Sequence, residues 1–217
     1  MRRPERVAEI VATTRAAVGV PVTVKHRIGV DELDRYEDMA HFVSVVMEAA
    51  ADRFTVHARK AWLNGLSPKD NRTVPPLRYD DVYRLKRDFP DLVVEINGGI
   101  TTLDEVEAHL EHVDAVMVGR AAYDNPILFA DADRRLFGDP SPRPSRVELV
   151  EAMIPYIERA MADGVRLHTV SRHLLNIFRG CRGGRNWRRS LSENTWRDDA
   201  DWRLIQGALA SVRPRAL

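Results

Sequence analysis

The sequence predicts an α/β fold built on parallel strands and continued by an all-helical segment. Three observations predict it. Short apolar runs alternate with helix-period stretches through residues 1–138, and alternation of this kind gives a parallel sheet with right-handed crossovers. Each run ends in polar or glycine residues, at the strand end where parallel folds carry their ligand sites. Beyond the run GDPSPRP at 138–144, apolar residues recur only at helical spacing.

Residues 4–17 read as a helix, with Val7, Ile10 and Val11 on one face and an end near Gly19. VPVTV at 20–24 is a strand leading into Lys25, His26 and Arg27. Residues 36–51 form the second helix, with Phe42, Val45, Val46 and Ala49 as its apolar stripe. RFTV at 53–56 is the next strand and opens onto His57, Ala58, Arg59 and Lys60. Residues 61–76 make a long loop rich in Asn, Pro, Gly and charge, and such loops inside a compact domain are functional or disordered. A third helix at 79–88 is closed by Phe89-Pro90.

Residues 92–120, LVVEINGGITTLDEVEAHLEHVDAVMVGR, are the most informative stretch. One buried-strand run ends at Asn97-Gly98-Gly99 and a second ends at Gly119-Arg120. Between them Thr102 and Glu105 have capping-box spacing, followed by Leu103, Val106 and Leu110 on one helical face. Glycine at such points lets backbone N–H groups approach an anion closely, and a following helix N-terminus adds its dipole. Two tight turns that need positive φ would look the same. Two such loops on consecutive strands, the second ending in arginine, favour a phosphate cradle, which the last two strands of a (β/α)8 barrel commonly build. Four successive strands thus deliver Lys25, His57, Asn97, and Gly119 with Arg120 at their C-terminal ends.

The Pro-rich run at 139–144 is a stiff linker and divides the chain into domains at 1–138 and 145–217. Ser145 and Glu148 form a second capping-box pair. Val150, Met153, Ile154, Ile157 and Met161 give the helix that follows its buried face, and Pro155 should kink it. A helix is expected at 167–178 and another at 202–212. Between them lies a loop dense in arginine: Arg179, Arg182, Arg185, Arg188 and Arg189, with Trp187 among them. Gly180, Gly183 and Gly184 argue against a continuous helix there. No internal repeat or low-complexity tract is visible.

Composition excludes several classes. With 44% hydrophobic and 30% charged residues the 217-residue chain is of ordinary globular type. One cysteine excludes a disulfide framework, and no Cys/His spacing suggests a metal site. No apolar run approaches the roughly 18 residues of a membrane span, and the N-terminus lacks a signal-peptide core, so a cytoplasmic protein is expected. The net charge of +1 hides an asymmetry: residues after Pro144 carry +5 and the remainder −4. A basic C-terminal segment suggests a phosphate-rich partner, or else a solvated basic surface.

Several stretches together resemble the tRNA-dihydrouridine synthases, and within them the A-type bacterial subfamily. They are VTVKHRIG at 22–29, FTVHARKAWLNGLSPKDNR at 54–72, LKRDFPDL at 85–92, INGGI at 96–100 and VMVGR at 116–120. RHLLNIFRG at 172–180 and RNWRRSLSEN at 185–194 continue the likeness over nearly the whole chain. The resemblance implies an FMN-bound TIM barrel followed by a helical tRNA-binding domain. In that family reduced flavin transfers hydride to a D-loop uridine, a cysteine supplies the proton, and NADPH re-reduces the flavin. Lys25, His57, Asn97, Gly98, Gly99, Gly119 and Arg120 fall on the family's FMN positions. Lys69, Arg72, Arg185 and Arg188 fall on the subfamily's tRNA-contacting positions. The nucleic-acid partner implied is tRNA and not DNA.

By this resemblance the four strands correspond to strands five to eight of the barrel. The family's N-terminal flavin loop and active-site cysteine have no counterpart, since Cys181 lies in the arginine-dense segment. A half barrel is therefore expected, exposing both sheet edges and half of an apolar interior, and the chain alone is expected not to reduce uridine. Without the resemblance, two other readings stay open. One is another phosphate-binding barrel enzyme acting on a small sugar phosphate. The other is a non-catalytic RNA-binding fragment.

Overall fold

The computed structural model describes residues 1–212. The chain divides into two compact units, Met1–Gly119 and the residues from Arg120 onward. The division precedes the Pro-rich run at 139–144, which lies within the second unit and has no regular secondary structure.

The first unit contains α1 (Pro4–Ala17), β1 (Thr23–Arg27), α2 (Tyr36–Met47), β2 (Arg53–His57), α3 (Tyr79–Asp88), β3 (Val94–Asn97), α4 (Leu103–Leu110) and β4 (Ala115–Met117). The four strands pair in parallel in the order β1-β2-β3-β4, so the α/β class read from alternation is the one observed. The capping box ahead of α4 is formed. Thr102 Oγ1 accepts from the Glu105 backbone N–H at 3.2 Å, and Glu105 Oε2 accepts from the Thr102 N–H at 3.0 Å.

Register decides what each face of the sheet carries, because paired residues of a parallel sheet share a face. One face presents Val24, His26, Phe54, Val56, Val94 and Ile96, all buried. His26 packs at a tilt against Phe42 of α2, 5.0 Å between ring centroids, and edge-on to Phe54 at 6.0 Å. The other face is polar, and its level rows run Lys25–Thr55–Glu95–Ala115 and Arg27–His57–Asn97–Met117. This corrects the expectation of a half-exposed apolar interior. Only Ala115 and Met117 of these two rows are apolar, because the alternate positions of β1, β2 and β3 carry charged, hydroxyl, imidazole or amide groups.

The second unit contains α5 (Arg120–Asp124), a 3-10 turn (Pro126–Asp131), α6 (Ala132–Phe137), α7 (Arg146–Ala162), α8 (Leu167–Ser171), α9 (Gly184–Asn194) and α10 (Arg203–Leu209). Its core joins Val150 and Ile157 of α7, Leu167 and Val170 of α8, Leu174, Ile177 and Phe178, Trp187 and Leu191 of α9, and Ile205, Ala208 and Leu209 of α10. The helix expected over 167–178 ends at Ser171, and residues 172–180 continue as turns that still bury Leu174, Ile177 and Phe178. The arginine-dense segment differs too, since its second half is the start of α9. Gly183 caps that helix with φ +82°. A side chain on Gly183 or Gly184 would collide with the backbone carbonyl of Ser211 or Phe178 respectively. These glycines permit close approach of the helix start to its neighbours, which outweighs their weak helix propensity.

His26 gives the fold a pH dependence. Its Nδ1 lies 2.8 Å from the Arg27 carbonyl, and burial pushes its pKa down to about 4. A folded-state pKa below the ordinary value near 6.5 means the unfolded chain binds this proton more tightly. The stabilisation is present above pH 6.5 and is lost as pH falls towards 4, on the order of 3 kcal/mol. Urea unfolding from pH 7 to pH 4 should therefore destabilise the wild type more than a His26→Phe variant. A wild-type-minus-variant difference that does not change with pH would contradict this account.

Candidate functional site

Strands β1, β2 and β3 bring three of the expected residues onto the polar face. His57 and Asn97 end their strands as expected, whereas Lys25 is the middle residue of β1, which continues to Arg27. Lys25 Nζ donates to Asn97 Oδ1 at 3.1 Å, and Asn97 Nδ2 donates to the Met117 carbonyl at 2.7 Å. The second bond fixes the amide orientation and leaves its oxygen towards the ammonium. Asn97 therefore ties β1, β3 and β4 together through one side chain. Partial burial lowers the Lys25 pKa, Arg27 acts in the same direction, and Glu95 opposes them. His57 ends β2, opposite Asn97 in the register.

The glycines after β3 have two constraints. Gly98 and Gly99 hold φ +120° and +75°. A Cβ on Gly98 would lie 3.2 Å from His57 Cε1, and one on Gly99 would lie 2.7 Å from Leu77 Cδ1. Tyr79 Oη donates to the Gly98 carbonyl at 2.7 Å, so this turn is held from α3 and sits against the His57 ring. Gly119 is different. It lacks positive φ, and the nearest atom its Cβ would meet is Asn97 Nδ2 at 3.9 Å. Neither backbone nor neighbour demands glycine there, and the space a Cβ would fill lies beside the Asn97 amide. That is the arrangement a closely approaching phosphate group needs. A lysine cation, an imidazole, a fixed amide and glycine backbone together fit the polar parts of a flavin mononucleotide. Arg120, the remaining expected residue, is exposed and opens α5 in the second unit.

Residues 61–76 are an ordered strap. Arg27 Nη1 donates to the carbonyls of Lys60 at 3.0 Å and Asn71 at 2.8 Å. Asn71 in turn closes onto Trp62, accepting from its N–H at 2.8 Å and donating to its carbonyl at 2.7 Å. Arg59 donates to the Pro75 carbonyl. At the base of the strap, Lys60 and Arg78 converge on Asp34 at 2.7 and 3.0 Å. The strap displays Lys69 and Arg72, both exposed, around a 3-10 turn at Asp70–Arg72. Burial first, and then the guanidinium charges of Arg59 and Arg72, lower the Arg27 pKa, so three cations gather at this end of the sheet. Sequence reasoning missed Arg27 and Asn71 as the residues that hold the strap. The signal was present in KHR at 25–27 and in the asparagine set between Lys69 and Arg72.

In the second unit Arg185, Arg188 and Arg189 are exposed, and their i, i+3, i+4 spacing puts them on one face of α9. Trp187 is on the opposite side. It is fully buried, donates Nε1–H to the Leu174 carbonyl at 3.0 Å and packs edge-on to Phe178 at 4.9 Å. Its ring belongs to the core. Cys181 is exposed in the same unit.

Residues 1–212 match the family model for dihydrouridine synthase (Dus). The chain belongs to that family. Curated Dus relatives named tRNA-dihydrouridine(20/20a) synthase include those of Synechocystis sp., at 56% identity over 213 residues, and Shewanella oneidensis, at 50% over 213 residues. The Vibrio cholerae serotype O1 relative of the same name is 47% identical over 213 residues. Each comparison covers 98% of this chain and 64–65% of the relative, so the chain spans just under two thirds of their length. A solved phosphoenolpyruvate phosphomutase from Streptomyces platensis subsp. rosaceus gives a TM-score of 0.43 at 18% identity over 76% of this chain and 73% of that one. That likeness is too distant to inform fold or function. Among the described residues, no helix is long and apolar enough to cross a membrane.

The two sides of α9 separate in a stability measurement. Trp187→Ala should cost about 3–5 kcal/mol, the range for emptying a large aromatic from a core. The double change Arg185→Ala, Arg188→Ala should leave the unfolding midpoint within about 0.5 kcal/mol of wild type, as for ordinary surface positions. A large loss in the double variant would show that these arginines serve the fold.

Proposed function

We propose that this chain is the flavin- and tRNA-handling portion of a tRNA-dihydrouridine(20/20a) synthase, the whole enzyme reducing D-loop uridine in tRNA, and that the chain alone does not carry out the reduction. In this reading residues 1–138 are the C-terminal half of a TIM barrel, 139–144 a linker and 145–217 a tRNA-binding domain. The observation that carries it is the Lys25–Asn97–Met117 hydrogen-bond chain beside the Gly98-Gly99 turn on one polar sheet face. The names of the relatives supply the substrate class.

FMN, when bound, would supply the hydride chemistry for the uridine double bond, with NADPH as the reductant. The chain's own residues do the holding. Lys25, kept in place by Asn97, would offer a cation to the electron-rich part of the flavin, and His57 would line the same polar face. Gly98, Gly99 and Gly119 would receive the phosphate through backbone N–H groups, and Arg120 is the guanidinium that the family resemblance assigns to it. Lys69, Arg72, Arg185 and Arg188 take the RNA, because arginine forks pair phosphates and stack on unstacked bases. A small sugar-phosphate enzyme would use the glycine turns but would have no role for three exposed arginines on one side of α9. A cytoplasmic setting follows from the substrate class.

Two measurements test this reading. FMN titrated into the purified chain should show saturable fluorescence quenching. Asn97→Leu, which removes the tether of the Lys25 ammonium, should weaken binding by about tenfold, as expected for a hydrogen bond to a charged group. Absence of saturable quenching would sink the flavin assignment. Separately, Arg185→Ala with Arg188→Ala should lower tRNA affinity and flatten its log–log salt dependence by about one to two units, at roughly 0.7 per single-strand phosphate contact. An unchanged affinity and slope would reduce the α9 arginines to a solvated surface.

A further inference from the structure

The polar sheet face holds one buried carboxylate that no role above uses. Glu95 sits in the middle of β3 and is 7% exposed. A carboxylate so placed needs a compensating charge as well as hydrogen bonds. Thr55 Oγ1 donates to Glu95 Oε2 at 2.5 Å, which draws the carboxylate towards β2. The cation paired with it, Arg53, stands 3.6 Å from Oε1, beyond hydrogen-bond distance, on a side chain 42% exposed to solvent. That contact is long and screened, and pairs of this kind contribute little.

The level row supplies the rest. Lys25, Thr55 and Glu95 are register partners on adjacent strands, so only the small Thr55 separates the lysine from the carboxylate. Neighbouring strands lie about 4.8 Å apart, which puts the Lys25 and Glu95 backbones about 10 Å apart with side chains on one face. The Lys25 ammonium reaches across the sheet to Asn97, two residues beyond Glu95 on β3, so the Glu95 charge acts on it through space across Thr55 and not through a direct ion pair. The other charged groups on this face are Arg27 on the lysine's own strand and Arg53 on β2, with His57 as the further titratable group. β4 contributes only Ala115 and Met117. Glu95 is the single anion among them.

We propose that Glu95 is a positioning residue, the buried counter-charge that holds the Lys25 ammonium over the sheet face for an electron-rich ligand. Its relevance to flavin rests on the functional reading above, but the electrostatic role itself does not. Without Glu95, the half-buried ammonium would face Arg27 and Arg53 with no opposing charge. The lysine would then shed its proton more readily or swing off Asn97 towards solvent. With Glu95 in place, the row carries a cation that is fixed in position and stays charged, and a ligand with a developing negative charge meets it without reorganisation.

The test needs no flavin. The chain has four lysines, Lys25, Lys60, Lys69 and Lys86. Reductive methylation with 13C-formaldehyde followed by NMR titration reads each one, and Lys25→Arg assigns the Lys25 signal. Glu95→Gln keeps the size and the Thr55 contact and removes only the charge. It should lower the Lys25 pKa by about half a unit or more, while the other three lysines stay fixed. An unmoved Lys25, or an equal shift in all four, would overturn the proposal. Should Glu95→Gln fail to fold, Arg53→Gln provides the opposite sign. Removing the competing guanidinium should raise the Lys25 pKa, and no rise would equally overturn the proposal. FMN titration of the same wild-type sample keeps the two ideas apart. A responsive lysine in a protein that binds no FMN leaves Glu95 in its role and removes only the ligand. FMN binding with an unresponsive lysine does the reverse.

Discussion

Everything on the first unit's functional face depends on the two-residue repeat of its parallel strands. Side chains alternate across a strand, and parallel pairing keeps equivalent positions level. With crossover helices packed on one side, the alternate residues of β1, β2 and β3 divide cleanly. Val24, His26, Phe54, Val56, Val94 and Ile96 go to the helices, and Lys25, Thr55, His57, Glu95 and Asn97 go to the other face. A slip of one residue would turn Lys25 into the core and Phe54 out of it. Burial of the apolar set, at roughly 1.5–3 kcal/mol per large side chain, therefore also locks the polar set in register. Groups far apart in sequence, at positions 25, 97 and 117, become hydrogen-bond neighbours as a consequence.

The strap over residues 61–76 solves a related problem, holding cations near one another without cancelling them. Arg27 donates to two backbone carbonyls and not to a carboxylate. Carbonyl acceptors fix geometry and leave the full charge in place, whereas an aspartate would have neutralised it. Asp34 is reserved for Lys60 and Arg78 at the base, where charge only anchors the loop. The strap consequently presents Lys69 and Arg72 from a backbone tied at both of its ends. Its polar composition, which in isolation reads as either functional or disordered, supplies the hydrogen bonds that order it.

Much of this was legible in the sequence, and the exceptions have physical causes. The α4 capping box, the four strands and the polar strand ends follow from local spacing, because capping and alternation are short-range effects. Lys25, His57 and Asn97 could be placed at or near strand ends, but their shared face depends on register, which no single strand contains. The expected apolar interior failed because it rested on the half-barrel resemblance and not on the alternation within each strand, where Lys25, Thr55, Glu95 and Asn97 alternate with Val24, Phe54, Val56, Val94 and Ile96. Arg27, Asn71 and Glu95 were missed since each has its decisive partner on a different strand or loop, more than 30 residues away in the chain. Asn71 alone combines a nearby partner, Trp62, with a distant one, and it was the distant one that gave it a role.

The segment around Trp187 shows how magnitudes decide between local and tertiary preferences. Gly180, Gly183 and Gly184 argued against a continuous helix, and α9 indeed starts only at Gly184. One glycine, at about 1 kcal/mol, therefore lies within it, beside a few tenths for the like-charged i, i+4 pair Arg185–Arg189. Burying Trp187 and Leu191 one turn apart returns several kcal/mol, more than these penalties together. Glycine at 183 and 184 is then required, because anything larger would strike the carbonyls of Ser211 and Phe178. Arg185, Arg188 and Arg189 then fall together on the exposed side of α9, where like charges at i, i+3 and i+4 disfavour one another by a few tenths of a kcal/mol per pair. That stored repulsion is relieved by any anion placed over the face. Helical order here therefore strengthens the case for a phosphate-bearing partner, while the burial of Trp187 removes base stacking on its ring from the means of recognition.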